Sequence, residues 1–259
     1  MEITFFKYQG TGNDFIMVDN RGLTFPKNDT SLIARWCDRR FGIGADGLIL
    51  LENDDSSDFK MVYYNSDGNQ GTMCGNGGRC IVAFANRLGV IKNKTTFMAV
   101  DGLHKATISG ATVALRMKDV DEIKTGTDYF FADTGSPHHV IVVDDCQAID
   151  VRAQGSAVRY GGLYGEAGAN VNFVTPLSAD RFKVRTYERG VEDETLSCGT
   201  GVTAVALCMY QSGKTLAKRV WLEVEGGELE VSFTPKQAGF THVYLSGPAE
   251  FVFKGVISA

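Results

Sequence analysis

The feature of this sequence that most constrains its fold is an internal repeat. Segments of the first half recur in the second half in the same order, displaced by 123 or 124 positions. The matching pairs are FKMVYYN at 59–65 with FKVRTYE at 182–188, MCGNG at 73–77 with SCGTG at 197–201, and FMAVDG at 97–102 with WLEVEG at 221–226. With small gaps, FFKYQGTGND at 5–14 also matches FFADTGSPHH at 130–139. Several matches in one order indicate a tandem duplication of a unit of roughly 120 residues.

Both halves have the same local pattern. A strand rich in β-branched and aromatic residues leads into a loop that ends at Cys-Gly-x-Gly, and an apolar stretch of helical length follows. Gly89 and Gly213 close these stretches, as glycine does at helix C-termini. Strands outnumber helices, so the sequence predicts an α+β fold of two pseudo-symmetric repeats, each a curled, mainly antiparallel sheet around a central helix. We expect residues 1–118 with a C-terminal strand at about 249–259 to form the first repeat, residues 119–248 the second, and the active site to lie in the cleft between them.

Composition excludes several classes of function. The net charge of −5, without long runs of Lys or Arg, argues against a nucleic-acid partner. The first residues, MEITFFKYQG, lack the apolar segment of a signal peptide, and apolar runs such as Leu48–Leu51 and Val140–Val143 are too short to span a membrane. We therefore expect a cytoplasmic protein with reduced cysteines and no membrane partner.

Two of the six cysteines occupy equivalent positions in the repeat. Cys74 and Cys198 each stand directly before a predicted helix, where exposed N–H groups and the helix dipole stabilise an anion and favour the thiolate. A thiolate and a thiol on opposite sides of one carbon can remove a proton from one face and deliver another to the opposite face. The other four cysteines are predicted to be small buried apolar residues: Cys37, Cys80, Cys146 and Cys208.

No cofactor or metal site is predicted. GIGADG at 42–47 has the spacing of a dinucleotide-binding loop, but it follows a helix-like stretch and precedes a strand, which is the wrong context. No segment marks a Schiff-base lysine with a phosphate-binding loop, and the cysteine spacing does not fit a zinc site.

Seven segments occur in order between residues 5 and 201: FFKYQGTGNDF, RRFGIGADGL, YYNSDG, MCGNGGRC, TGSPHHV, GANVNFV and YERGVEDETLSCGTG. Together these segments resemble one family, the diaminopimelate epimerases. The resemblance implies a two-domain fold and a small-molecule substrate, with interconversion of LL- and meso-diaminopimelate for lysine and peptidoglycan precursors. It also implies a homodimer and a reaction that needs no cofactor.

The same resemblance assigns roles to residues. Cys74 and Cys198 are the acid and base, and His138 and Glu188 lie beside them, respectively, and adjust their proton affinity. Two further groups bind the substrate. Gly75, Asn76, Gly199 and Thr200 hold the carboxylate at the reacting carbon, whereas the distal end is bound by Asn13, Asn65, Asn170, Glu188 and Arg189. Ser136 and Gly47 depart from residues found in some members, which affects the details of distal-end recognition.

Three other functions compete with this interpretation. A proline-racemase-like isomerase also uses two cysteines, but Arg189 and the asparagines favour a substrate with a polar far end. A thiol hydrolase would pair one cysteine with His138, which leaves the second Cys-Gly-x-Gly without a role. A non-catalytic binding protein would not need both thiols, and both are present.

Overall fold

The computed structural model describes residues 2–258, and the chain forms two compact units. The first unit runs to Leu115 and resumes at Gly247, and the second is Arg116–Ser246. The boundaries thus lie within three residues of those expected from the repeat.

The first unit contains two helices and seven strands before the chain enters the second. In chain order they are β1 Glu2–Gly10, β2 Asn13–Asp19, α1 Thr30–Cys37, β3 Gly47–Glu52, β4 Phe59–Asn65, α2 Gly75–Arg87, β5 Lys94–Ala99, β6 Gly102–Ser109 and β7 Thr112–Arg116.

The second unit follows with two α-helices and nine strands. They are β8 Ile123–Thr125, β9 Phe130–Asp133, β10 Pro137–Val142, α3 Val151–Arg159, β11 Asn170–Pro176, β12 Arg181–Glu188, β13 Asp193–Thr195, α4 Gly199–Gln211, β14 Arg219–Val224, β15 Gly227–Pro235 and β16 Phe240–Pro248. A short 3-10 helix, Cys146–Ala148, precedes α3, and the last strand of the chain is β17, Glu250–Ser258.

The two units share one order of connections. In the first, β2 and β3 are parallel across α1, β3 and β4 are antiparallel, and β4 and β5 are parallel across α2. In the second, β10 and β11 are parallel across α3, β11 and β12 are antiparallel, and β12 and β14 are parallel across α4. The remaining pairings within each unit are antiparallel. The predicted α+β class with two pseudo-symmetric repeats is therefore confirmed.

The central helices α2 and α4 are far more buried than the outer helices α1 and α3. α2 packs on β1 to β4 and buries Ile81, Phe84 and Ala85. Every residue of α4 from Gly201 to Met209 is buried, in contact with strands from β8 to β15. α4 is apolar on nearly all sides, as a helix in the core of a domain is. α2 is amphipathic instead, with Asn86 and Arg87 exposed and its apolar side on the sheet.

Each unit also has a second, outer helix between its parallel strands, which the predicted one-helix repeat did not include. α1 packs on β3, and α3 packs on β11 and β12. The sequence signal of α3 is weak because Gly155 interrupts it. The structure explains this glycine, since a Cβ there would lie 2.4 Å from Cβ of Tyr187.

The C-terminal strand belongs to the first unit. β17 pairs antiparallel with β1 along almost its whole length, from Glu2 opposite Ser258 to Gln9 opposite Glu250. Gly255 permits this pairing because a Cβ would lie 2.6 Å from the Phe5 ring. Of the helices within residues 2–258, none is long and apolar enough to cross a membrane.

Candidate active site

Both central helices begin at a cysteine. Cys74 is the N-cap of α2 and Cys198 the N-cap of α4, both with extended backbone, and both helices have 13 residues. The outer helices begin at aspartates instead: Asp29 accepts from the Leu32 N–H and Asp150 from the Ala153 N–H, each at 3.0 Å. Cysteine is not among the side chains that cap helices well. Its presence at both central N-termini therefore indicates a function other than capping.

The second glycine of each Cys-Gly-x-Gly motif is required by packing. A Cβ at Gly77 would lie 2.9 Å from the end of the Ile49 side chain, and one at Gly201 would lie 2.5 Å from Asn172 Oδ1. These glycines let the first turn of each helix lie close against the neighbouring strands. Such a turn is suited to bind an anion.

In the first unit, Cys74 lies beside two asparagines. Its Sγ is 3.6 Å from Asn13 Oδ1, and Asn76 Nδ2 donates to the same oxygen at 3.2 Å. Asn13 Nδ2 donates to Asp46 Oδ2 at 2.6 Å, so the carbonyl end of this amide faces the cysteine. The structure thus brings together Cys74, Asn76 and Asn13, three of the predicted site residues.

An ion network holds this corner of the first unit. Arg39 bonds both Asp14 and Asp46, and Lys7 pairs with Asp14 at 2.7 Å. Burial opposes ionisation of Asp14, but its hydrogen bonds with Arg39 and Lys7 lower its pKa to about 2. Asp46 is therefore held in place as the partner of Asn13, a role that the sequence did not suggest.

Asn65 lies at the end of β4, where the chain turns. Its N–H donates to Asn69 O at 2.9 Å, its carbonyl accepts from Gly68 N at 3.0 Å, and its side chain is exposed. Gly71 lies against that side chain, because a Cβ there would be 2.8 Å from Asn65 Oδ1. The amide of Asn65 is thus accessible on the loop that leads to Cys74.

In the second unit, Cys198 lies beside Thr200, which contacts His138. Cys198 Sγ is 3.5 Å from Thr200 Oγ1, and His138 Nε2 is 2.9 Å from the same hydroxyl. The repeat alignment places His138 opposite Asn13 and Thr200 opposite Asn76, so the two halves use equivalent positions with different side chains. The predicted placement of His138 beside Cys74 remains a prediction, and its observed partner in this unit is Thr200.

His138 is completely buried, and burial lowers its pKa to about 3. The imidazole is therefore neutral at pH 7. Asn172 contacts its other nitrogen, with Nδ2 3.2 Å from His138 Nδ1. Asn172 was not among the predicted site residues, although an asparagine within the apolar strand GANVNFV is a signal of a buried polar contact.

The distal-end residues of the second unit form one hydrogen-bonded group. Asn170 Oδ1 accepts from the Arg189 N–H at 2.9 Å, and Asn170 Nδ2 donates to Ser136 Oγ and Pro137 O. Arg189 Nη1 donates to Ala167 O at 3.0 Å. Both amide hydrogens of Asn170 are thus used within the protein, and its contacts hold Arg189 and Ser136 together.

Glu188, the last residue of β12, accepts from Thr195 Oγ1 at 2.9 Å through Oε2. The four remaining cysteines are buried, as expected. Burial raises the pKa of Cys37 and of Cys80 to about 12 and also raises that of Cys208, so these three stay protonated. Within the described part of the chain, no group of three or more His, Cys, Asp or Glu side chains is placed to hold a metal ion.

Comparison with known proteins identifies the family. The sequence profile of the family described as diaminopimelate epimerase matches residues 5–121 and 130–252. The chain belongs to the diaminopimelate epimerase family. It is 61% identical over 253 residues to the diaminopimelate epimerase of Flavobacterium psychrophilum, which covers 97% of this chain and 99% of that protein. The corresponding protein of Chlorobaculum tepidum is 42% identical over 96% of this chain and 99% of its own length.

Solved structures show how widely the fold of this family occurs. A PhzF-family phenazine biosynthesis protein of Bacillus anthracis superposes with a TM-score of 0.81 over the whole of both chains, at 13% identity. A hydroxyproline epimerase of Agrobacterium vitis superposes with a TM-score of 0.70 over 99% of this chain and 92% of its own, at 15% identity. At these identities the likeness concerns the fold alone.

The two motif glycines give a matched pair of stability predictions. Alanine usually stabilises a helical position relative to glycine. At Gly77 the new methyl group meets only the flexible end of Ile49, whereas at Gly201 it would displace a buried amide oxygen. We expect Gly77→Ala to change the free energy of unfolding by less than about 1 kcal/mol and Gly201→Ala to lower it by about 1–3 kcal/mol. Urea denaturation of both variants measures this, and equal effects would show that the tight contact with Asn172 is not needed.

Proposed function

We propose that this protein is an epimerase that interconverts LL- and meso-2,6-diaminopimelate, with Cys74 and Cys198 as its two proton-transferring groups. The observation that carries this proposal is the cysteine N-cap at the start of both central helices, in a chain of the diaminopimelate epimerase family. The name and 61% identity of the Flavobacterium psychrophilum relative support the substrate.

In the proposed reaction a thiolate removes the α-proton, which forms a carbanion, and the opposite thiol delivers a proton to the other face. The cysteine that acted as base ends as the thiol, and the other ends as the thiolate. The α-proton of an amino acid is far less acidic than a thiol, so the carbanion needs stabilisation. The N–H groups of the first helical turns, at Gly75–Asn76 and Gly199–Thr200, supply it at the neighbouring carboxylate.

We infer that the distal amino-acid end of the substrate is bound by Asn13, Asn65, Asn170, Glu188 and Arg189. Arg189 is suited to a carboxylate because its guanidinium can bond both oxygens. Its backbone is fixed by Asn170, and one of its nitrogens by Ala167. Glu188 suits the distal ammonium, and the predicted effects of His138 on Cys74 and of Glu188 on Cys198 belong to the same proposal.

We further propose a cytoplasmic homodimer that contributes to lysine and peptidoglycan precursor synthesis. A second copy of the chain would cover apolar side chains that β17 exposes. Val252, Phe253 and Val256 are 52%, 44% and 58% exposed on this strand. Apolar side chains exposed along one strand support this proposal.

Purified protein should epimerise LL-diaminopimelate without any added cofactor. Both proposed proton-transferring groups are side chains of the chain itself, so activity should survive dialysis against a chelator, and the protein should show no pyridoxal absorbance. Chiral chromatography of the products measures the conversion. Activity that returns only with a metal ion or pyridoxal phosphate would contradict the two-thiol proposal.

Replacement of Arg189 should remove selectivity for the distal carboxylate. Loss of a charged, bidentate contact costs about 2–5 kcal/mol, so Arg189→Ala should lower kcat/KM for diaminopimelate by roughly 30-fold to several thousandfold. Arg189→Lys keeps the positive charge but cannot bond both carboxylate oxygens as a guanidinium does. Its kcat/KM for diaminopimelate should lie between those of the unmodified enzyme and Arg189→Ala. Lysine, which lacks the distal carboxylate, should be a very poor substrate of the unmodified enzyme. Comparable rates on lysine and diaminopimelate would refute the assignment.

A further inference from the structure

A buried chain of hydrogen bonds in the second unit ends at Cys198, and its direction can be worked out. Its members are Thr186, Asn172, His138 and Thr200, which lie on β12, β11, β10 and at the start of α4. Apart from the partly exposed Thr200, they are buried, with Asn172 and His138 completely so.

The orientation of the Asn172 amide is fixed from two sides. Thr186 Oγ1 donates to Asn172 Oδ1 at 3.0 Å, and Asn172 Nδ2 donates to the His139 carbonyl at 3.1 Å. A carbonyl oxygen can only accept, so Nδ2 must be the nitrogen end of the amide. Its second hydrogen points to His138 Nδ1, 3.2 Å away.

This contact decides the tautomer of His138. Nδ1 accepts the hydrogen from Asn172, so the single proton of the neutral ring is on Nε2. The ring is neutral because burial lowers its pKa to about 3. Nε2 therefore donates to Thr200 Oγ1 at 2.9 Å.

The Thr200 hydroxyl lies between His138 and Cys198. Its oxygen accepts the His138 hydrogen, which leaves its own hydrogen for Cys198 Sγ at 3.5 Å. The sulfur of Cys198 thus receives a hydrogen bond, and a donor stabilises the thiolate more than the thiol.

Charged side chains act on His138 from two of the elements around it. Asp133 at the end of β9 and Arg189 after β12 act on His138 with opposite signs, and burial outweighs both. Glu188, the last residue of β12, is hydrogen-bonded to Thr195.

We propose that Asn172 is a positioning residue for the reaction: through the Nε2–H tautomer of His138 it turns the Thr200 hydroxyl hydrogen toward Cys198 and favours the thiolate of that cysteine. The proposal deepens the proposed function, since it concerns how one of the two thiols becomes a base. At Cys74 the observed neighbour is an acceptor, Asn13 Oδ1 at 3.6 Å, whereas a donor faces Cys198. The two thiols therefore differ in their local hydrogen bonding.

The experiment measures Cys198 without substrate, so its outcome is separate from that of the epimerase assay. In a Cys74→Ser background, the rate of alkylation of Cys198 by iodoacetamide, located by peptide mapping, is followed against pH. Asn172→Leu and Thr200→Val should raise the half-ionisation pH by about one unit, so that alkylation at pH 7 is about tenfold slower. Thr200→Ser, which restores the hydroxyl, should return it to the parent value.

Thr203→Val is the matched control. Thr203 is also buried near the start of α4, and its hydroxyl donates to Gly199 O at 2.8 Å. This hydrogen bond is not part of the series that leads to Cys198. The substitution should leave the ionisation of Cys198 unchanged, which separates the proposed effect from general loosening of α4. Thermal unfolding checks that each variant is folded. If Asn172→Leu does not fold, the comparison of Thr200→Val with Thr200→Ser tests the proposal.

Nitrogen NMR of the histidines gives a second readout that a purely structural role would not move. His138 should show the Nε2–H tautomer from pH 5 to pH 9, and Asn172→Leu should reduce that population. An Nδ1–H tautomer in the unmodified protein, or a Cys198 ionisation that Thr200→Val does not shift, would overturn the proposal.

Discussion

The start of each central helix is the point on which the rest of this structure depends. A helix N-terminus leaves N–H groups without partners within the helix, and in both units this end lies close against strands of the sheet. In most protein helices an Asp, Asn, Ser or Thr side chain accepts hydrogen bonds from these N–H groups, as Asp29 and Asp150 do at the outer helices α1 and α3. At α2 and α4 the chain places a thiol there instead. Each central helix thus lacks a good capping side chain and has a cysteine at its positively polarised N-terminus instead.

The two sites differ in their surroundings because the repeats have diverged. Asn13 and His138 occupy matching positions, as do Asn76 and Thr200. In the first unit a charged network anchors Asn13 through Asp46, whereas in the second a neutral buried asparagine anchors His138. Duplication supplied two similar helix N-termini, and divergence of the residues around them allows each thiol its own proton affinity.

Much of this could be predicted from the sequence because the repeat is still visible. The 124-residue spacing of Cys74 and Cys198 predicts equivalent positions without any three-dimensional information, and the glycines after them mark the starts of the helices. Helix α3 could not be predicted because Gly155, required by the contact with Tyr187, weakens its pattern. Asp46 and Asn172 could not be assigned either, since their roles depend on which strands become neighbours. A single sequence shows the type of a side chain but not what faces it.

The central claim is that two different thiols serve the two faces of the substrate, and hydrogen isotope transfer tests it most directly. LL-diaminopimelate is converted in deuterated water, and proton NMR and mass spectrometry follow both stereoisomers during the first few per cent of reaction. The account predicts that the meso product carries deuterium at the inverted carbon, because its proton comes from the opposite, solvent-equilibrated cysteine. The unreacted LL isomer should still retain its protium at this stage. Product that keeps the protium of the substrate would show that a single base carries the proton between faces, and the account would be wrong.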